Sequence, residues 1–171
     1  MAGRDLGRTV ARERGRFRLA AGARLRYASA LFASRSEDKD VALMFFDSHV
    51  HFDQDRPAGA RADLIERARA AGVTRLLAVG GTDAMNAAAA DVAREYAGCA
   101  AALGFDRDRA PALLAAEGGI DTALDALRRR IETLRAEGVD VVAVGETGLD
   151  YHYSPETAPQ QEQLFASQLD L

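Results

Sequence analysis

The chain reads as an α/β protein whose strands run parallel and are joined by crossover helices. Three observations predict this. Short apolar runs alternate with longer stretches whose apolar residues recur every three or four positions. Glycines close the helical stretches and follow the apolar runs. The runs are apolar throughout rather than alternating, as in a sheet covered on both faces.

Each element follows from local signals. Val41–Phe46 is the first strand. Residues 60–71 form a helix with Leu64, Ile65, Ala68 and Ala71 on one face and Gly72 closing it. Val73–Val79 is the second strand, ending at Gly80 and Gly81. Asp83 caps an alanine-rich helix from Ala84 to Ala97, stopped at Gly98. Cys99–Leu103 is the third strand, followed by Gly104 and a loop with Pro111. Asp121–Glu137 is a long helix carrying Leu124, Leu127, Ile131 and Leu134 at helical spacing. Val139–Val144 is the fourth strand, and residues 145–148 are its turn. A last helix opens near Pro159 and carries Leu164, Phe165 and Leu169. The order βαβαβαβα suits a doubly wound sheet and half of an eight-stranded barrel equally. Both gather ligands at the C-terminal ends of their strands.

Composition bounds the function. With 171 residues, 48% hydrophobic and 28% charged, the chain fits one soluble domain with a respectable core. No apolar run approaches the ~18 residues of a membrane-spanning helix, so no membrane partner is expected. The single cysteine, Cys99, leaves no internal disulfide framework and points to a reducing, cytoplasmic setting. Its apolar neighbours predict a buried, inert thiol.

Charge divides the chain. Residues 1–43 carry ten Lys/Arg against five Asp/Glu, whereas residues 44–171 carry twelve against twenty-one. The first segment reads as a basic extension, disordered or weakly helical, ahead of a domain that begins at Met44. A transit-like or surface-binding helix and a nucleic-acid arm are the competing readings. The acidic body offers no broad electrostatic footprint for nucleic acid. It still admits an enzyme that grips phosphates through a metal ion.

The most informative motif is Phe46-Asp47-Ser48-His49-Val50-His51-Phe52-Asp53. Side chains alternate along an extended chain, so His49 and His51 share a face with α-carbons roughly 6.5–7 Å apart. Two imidazoles so placed can converge on one ion at about 2.0–2.1 Å per bond. Glu146 stands at the corresponding end of the fourth strand, between glycines that let the backbone turn and give its carboxylate room. These three residues, His49, His51 and Glu146, are the candidate metal ligands.

With Gly145-Glu146-Thr147-Gly148-Leu149-Asp150-Tyr151 added, the chain resembles the TatD family of metal-dependent hydrolases. Ala70–Arg75 and Gln161–Leu169 carry the likeness further, over residues 44–171. The resemblance implies a partial (β/α)8 TIM-type barrel of about four βα units and one or two divalent ions, Zn, Mn or Mg. It implies His49 and His51 as paired ligands and Glu146 as a binding or bridging carboxylate. It also implies hydrolysis of phosphodiesters, notably DNA 3′ ends, or of related esters, with DNA or another ester as substrate.

Two departures bear on this. A TIM barrel usually takes about 250 residues, and Met44–Leu171 offers 128. The family draws two further histidines and an aspartate from later strands. No catalytic residue beyond the ligands is therefore assigned to this segment. The family's Gly-hydrophobic-His-Pro-His is here Gly104-Phe105-Asp106-Arg107-Asp108. Asp106 and Asp108 read as a solvated charged loop, with oxygen ligation favouring harder ions as the alternative.

Asp150 reads as a loop brace or helix cap, and His152 as a rim or surface histidine. Tyr151 and Tyr153 serve base stacking or packing equally well. Three other readings of the whole remain. One is a catalytically incomplete fragment acting only with a partner half, the one case in which a stable protein partner is expected. The others are an amidohydrolase or deaminase, and a nucleic-acid module acting through the basic arm.

Overall fold

The computed structural model describes residues 44–52 and 58–171. The basic extension, residues 41–43 of the expected first strand, and Asp53 lie outside them.

Among the described residues, four strands form one parallel sheet: β1 (Phe45–Val50), β2 (Val73–Gly81), β3 (Cys99–Phe105) and β4 (Val141–Val144). They are neighbours in chain order. A doubly wound sheet reverses direction at a switch point, and this sheet does not. Successive right-handed crossovers that always advance the same way stack their helices on one face. The sheet is therefore a partial (β/α)8 barrel, and the order of its strands decides between the two architectures left open above.

The helices are α1 (Ala58–Ala70), α2 (Asp83–Glu95), α3 (Ala110–Ala115), α4 (Gly119–Ala136) and α5 (Ala158–Leu169). Gly72 ends α1 with φ 90°, a left-handed conformation that costs glycine no Cβ clash. At α2 the cap is Thr82 and not Asp83: its hydroxyl accepts from the Met85 N–H at 3.2 Å. Asp83 instead occupies the first turn, where its charge suits the helix dipole. The Pro111 loop contains α3, with the proline in its first turn. There the fixed φ favours the helix and the missing N–H costs nothing.

The core lies between sheet and helices. Leu76 and Ala78 of β2, Leu103 of β3, Val92 of α2 and Leu134 of α4 are buried together. Leu124, Leu127 and Ile131 join them, as their spacing predicted. Cys99 is buried, and burial raises its thiol pKa.

Three expectations need correction. The first strand runs from Phe45 to Val50, about four residues later than its apolar run. Pairing with β2, Phe45 against Val73 and Val50 against Ala78, selects the strand in preference to hydrophobicity. Nor is the sheet covered throughout. Phe46 on β1 and Val142 on β4, the two outer strands, are 60% and 57% exposed. Finally, Leu169 of α5 is exposed, while Gln161 and Gln168 take buried positions beside Leu164.

Candidate metal centre

The site is built at the C-terminal rim, where β1 and β4 end. His49 is the penultimate residue of β1 and His51 follows it. Asp47 Oδ1 accepts from the His49 N–H at 3.1 Å and secures this end of the strand. His51 Nδ1 donates to the Val79 carbonyl at 3.0 Å. A carbonyl only accepts, so Nδ1 carries a proton, which in a neutral imidazole leaves the Nε2 lone pair for a metal ion. The two Nε2 atoms lie 3.0 Å apart. Glu146 Oε2 lies 3.2 Å from His51 Nε2 and 3.6 Å from His49 Nε2. All three ligand atoms fall within 4.8 Å of one another. The histidines are exposed and the glutamate half-buried.

The donor set suits a divalent cation. Two imidazole nitrogens and one carboxylate oxygen match the chemistry of zinc and related ions. A ring nitrogen held by a backbone carbonyl is the usual way an imidazole ligand is oriented.

Close packing brings β4 to this rim. A Cβ on Gly104 would lie 2.7–2.8 Å from the Gly145 backbone, so only glycine lets β3 and β4 approach here. Two side-chain amides finish the end of β3 as a neighbouring strand would. Asn86 accepts from the Gly104 N–H at 3.0 Å and donates to its carbonyl at 2.9 Å. Gln168 does the same for Phe105, at 2.7 and 2.9 Å, and also donates to the Thr147 hydroxyl at 3.1 Å. Thr147 follows Glu146, so Gln168 also braces the glutamate's turn.

The loop after β4 is equally tied. Asp150 Oδ1 accepts from the N–H groups of His152 and Tyr153 at 2.8 and 2.9 Å. The Tyr153 and His152 donors, with Arg107 nearby, hold the Asp150 carboxyl below its ordinary pKa. The buried Gln161 accepts from the Asp150 N–H and donates to the Asp150 and Ser154 carbonyls.

The family of TatD related DNases matches residues 46–171. The chain belongs to the TatD family. A 3′-5′ ssDNA/RNA exonuclease TatD of Cronobacter turicensis is 36% identical over 132 residues, 77% of this chain and 43% of that protein. The uncharacterized metal-dependent hydrolase YabD of Bacillus subtilis is 32% identical over 128 residues, covering 75% and 46%. The crystal structure of the TatD homolog YjjV of Escherichia coli superposes with a TM-score of 0.58 at 28% identity, over 74% of this chain and 45% of that one. The chain thus spans less than half the length of these TatD relatives.

Against the sequence reading, the structure brings His49, His51 and Glu146 together and leaves the others elsewhere. Asp106 is engaged locally: its Oδ1 accepts from the Asp108 N–H at 3.1 Å and from Arg107 Nη1 at 3.2 Å. Neither Asp106 nor Asp108 joins the cluster. Asp150 braces its loop, one of the two roles read for it. His152 stays outside the cluster, ring to ring with Tyr153. Tyr153 is 81% exposed and packs its ring against His152. Sequence reasoning missed Asn86, Gln161, Gln168 and Arg107. For the glutamines a signal existed: both lie on the helical face of Leu164, where apolar residues were expected. A cavity of about 320 Å³ lies away from the cluster, on the helix side of β3 among Asn86, Leu103, Phe105 and Leu127. Donor chemistry, not concavity, marks the site.

Proposed function

We propose that this chain carries the metal-binding rim of a hydrolase acting on phosphodiester bonds, with single-stranded DNA or RNA ends as substrate. The observation that carries the reading is the convergence of two imidazole nitrogens and one carboxylate oxygen within 4.8 Å. His49, His51 and Glu146 would hold a divalent ion, Zn, Mn or Mg. Such an ion supplies Lewis acidity toward a phosphoryl oxygen and lowers the pKa of a coordinated water. The Val79 carbonyl keeps the His51 proton on Nδ1, away from the ion. The half-exposed rim leaves an approach for the end of a strand. The names of the TatD exonuclease and metal-dependent hydrolase relatives support this substrate class and metal dependence.

The domain is read as residues 44–171, with 1–43 as an extension. The buried Cys99 thiol supports a reducing, cytoplasmic setting.

The test is release of nucleotides from the 3′ end of a single-stranded oligonucleotide with Mn²⁺, Mg²⁺ or Zn²⁺. His49→Ala and Glu146→Ala are each expected to lower the rate at least ~100-fold, the scale of lost metal electrostatics. Undiminished activity in both variants would refute the metal assignment. A second reading has its own observation: the chain spans less than half the length of its TatD relatives. Mn²⁺ binding without turnover would favour a chain that needs further ligands to act.

A further inference from the structure

Arg107 stands in the turn that follows β3 and reaches four carboxylates. Two flank it in its own turn: Asp106 Oδ1 at 3.2 Å from Nη1 and Asp108 Oδ1 at 3.9 Å from Nε. Two belong to the loop after β4: Asp150 Oδ2 at 3.3 Å from Nη2 and Glu146 Oε1 at 3.9 Å from Nη1. The planar fork therefore ties the turn of β3 to the loop of β4. Glu146 is shared between two neighbours. Its Oε2 faces the imidazoles and its Oε1 faces Arg107. A carboxylate turns about its last bonds, so holding one oxygen aims the other. Asp150 is a fixed anchor for the guanidinium, because two backbone N–H groups and Gln161 already pin it.

We propose that Arg107 is a positioning residue of the metal centre, holding the Glu146 carboxylate with Oε2 turned to His49 and His51. This rests on the metal-centre reading above. It falls where the chain departs from the family's His-Pro-His, and it gives the replacement a purpose: Asp106 accepts from Arg107 Nη1 and steadies the arginine.

Geometry and bare charge predict opposite outcomes. A cation beside a metal ligand repels a divalent ion, so a purely electrostatic effect makes loss of Arg107 tighten metal binding. Loss of the clamp makes it weaken. Lysine keeps the charge as a point on a flexible stem and cannot span Asp106, Asp150 and Glu146 at once.

The experiment is Mn²⁺ binding to the full chain by titration calorimetry, for the wild type, Arg107→Lys, Arg107→Gln and His49→Ala, with thermal unfolding of each. Both Arg107 variants are expected to bind Mn²⁺ about 10- to 100-fold more weakly, the usual cost of losing a group that orients a metal ligand. Their unfolding midpoints are expected near that of the wild type. Affinity in Arg107→Gln equal to or above the wild type overturns the inference, and so does full affinity in Arg107→Lys. Should the Gln variant not fold, the Lys variant decides alone. Binding lost in His49→Ala but kept in both Arg107 variants refutes this inference and spares the metal centre. A wild type that binds no Mn²⁺, or binds it equally in His49→Ala, refutes both.

Discussion

His49 and His51 were legible as a pair because the two-residue period of an extended chain puts them on one face, whatever the rest of the fold. Glu146 was legible by its setting at a glycine-flanked strand end. Arg107 was not. It joins two loops that meet only when β3 and β4 pair, and no local pattern marks it. Asp150 offers a residue-scale prediction. Backbone donors keep its folded pKa below the usual carboxylate range. Its stabilising contribution is therefore complete above the unfolded pKa, about 3.9, and is lost as pH falls through the lower folded value. Asp150→Asn is expected to lower the urea midpoint at pH 7, by a margin that shrinks progressively as the pH falls below about 3.9. A gap that stays constant as the solution is acidified would show that the carboxylate's charge is not what braces the loop.

Helices with one apolar stripe, such as α4, were read correctly because burial follows the 3.6-residue period. On α5 the same rule put Leu169 inward, yet the structure buries Gln161 and Gln168. Polar side chains are buried where they satisfy backbone groups that would otherwise lack partners. Those groups, on Phe105 and Asp150, come from distant segments that the α5 sequence does not reveal. Gln168→Ala leaves the Phe105 N–H and carbonyl unpaired. It is expected to cost about 1–3 kcal/mol per unsatisfied group, read from urea unfolding. A change below ~0.5 kcal/mol would mean that water replaces the amide. Gly104→Ala acts at the contact between strands. Its Cβ would meet the Gly145 backbone, and overpacking of this kind costs about 1–3 kcal/mol. Because Gly145 precedes Glu146, weaker Mn²⁺ binding should accompany the lost stability, and stability lost with Mn²⁺ affinity intact would separate the two.

For the molecule as a whole, the strand order places β1 and β4 at opposite ends of the sheet, yet their residues share one cluster. Such convergence requires the sheet to curl, as a barrel does when its strands twist and tilt. An ion held by both ends therefore staples the whole sheet. A ligand bound only by the folded state adds stability of RT ln(1 + [L]/Kd), about 2.7 kcal/mol at one hundred times Kd. Saturating Mn²⁺ should raise the urea midpoint of the wild type and leave that of His49→Ala unmoved. Equal shifts in both would locate the binding elsewhere.

The alternation of strands and helices, the buried stripe of α4 and the spacing of the two histidines were written in the sequence. Each depends on periodicity or turn chemistry within a few residues. Tertiary structure alone decided the order of the strands, the register that slid β1 toward its histidines, the burial of two glutamines and the reach of Arg107 across two loops. These depend on backbone groups and charges from segments far apart in the chain, which become neighbours only once the sheet has closed the distance between them.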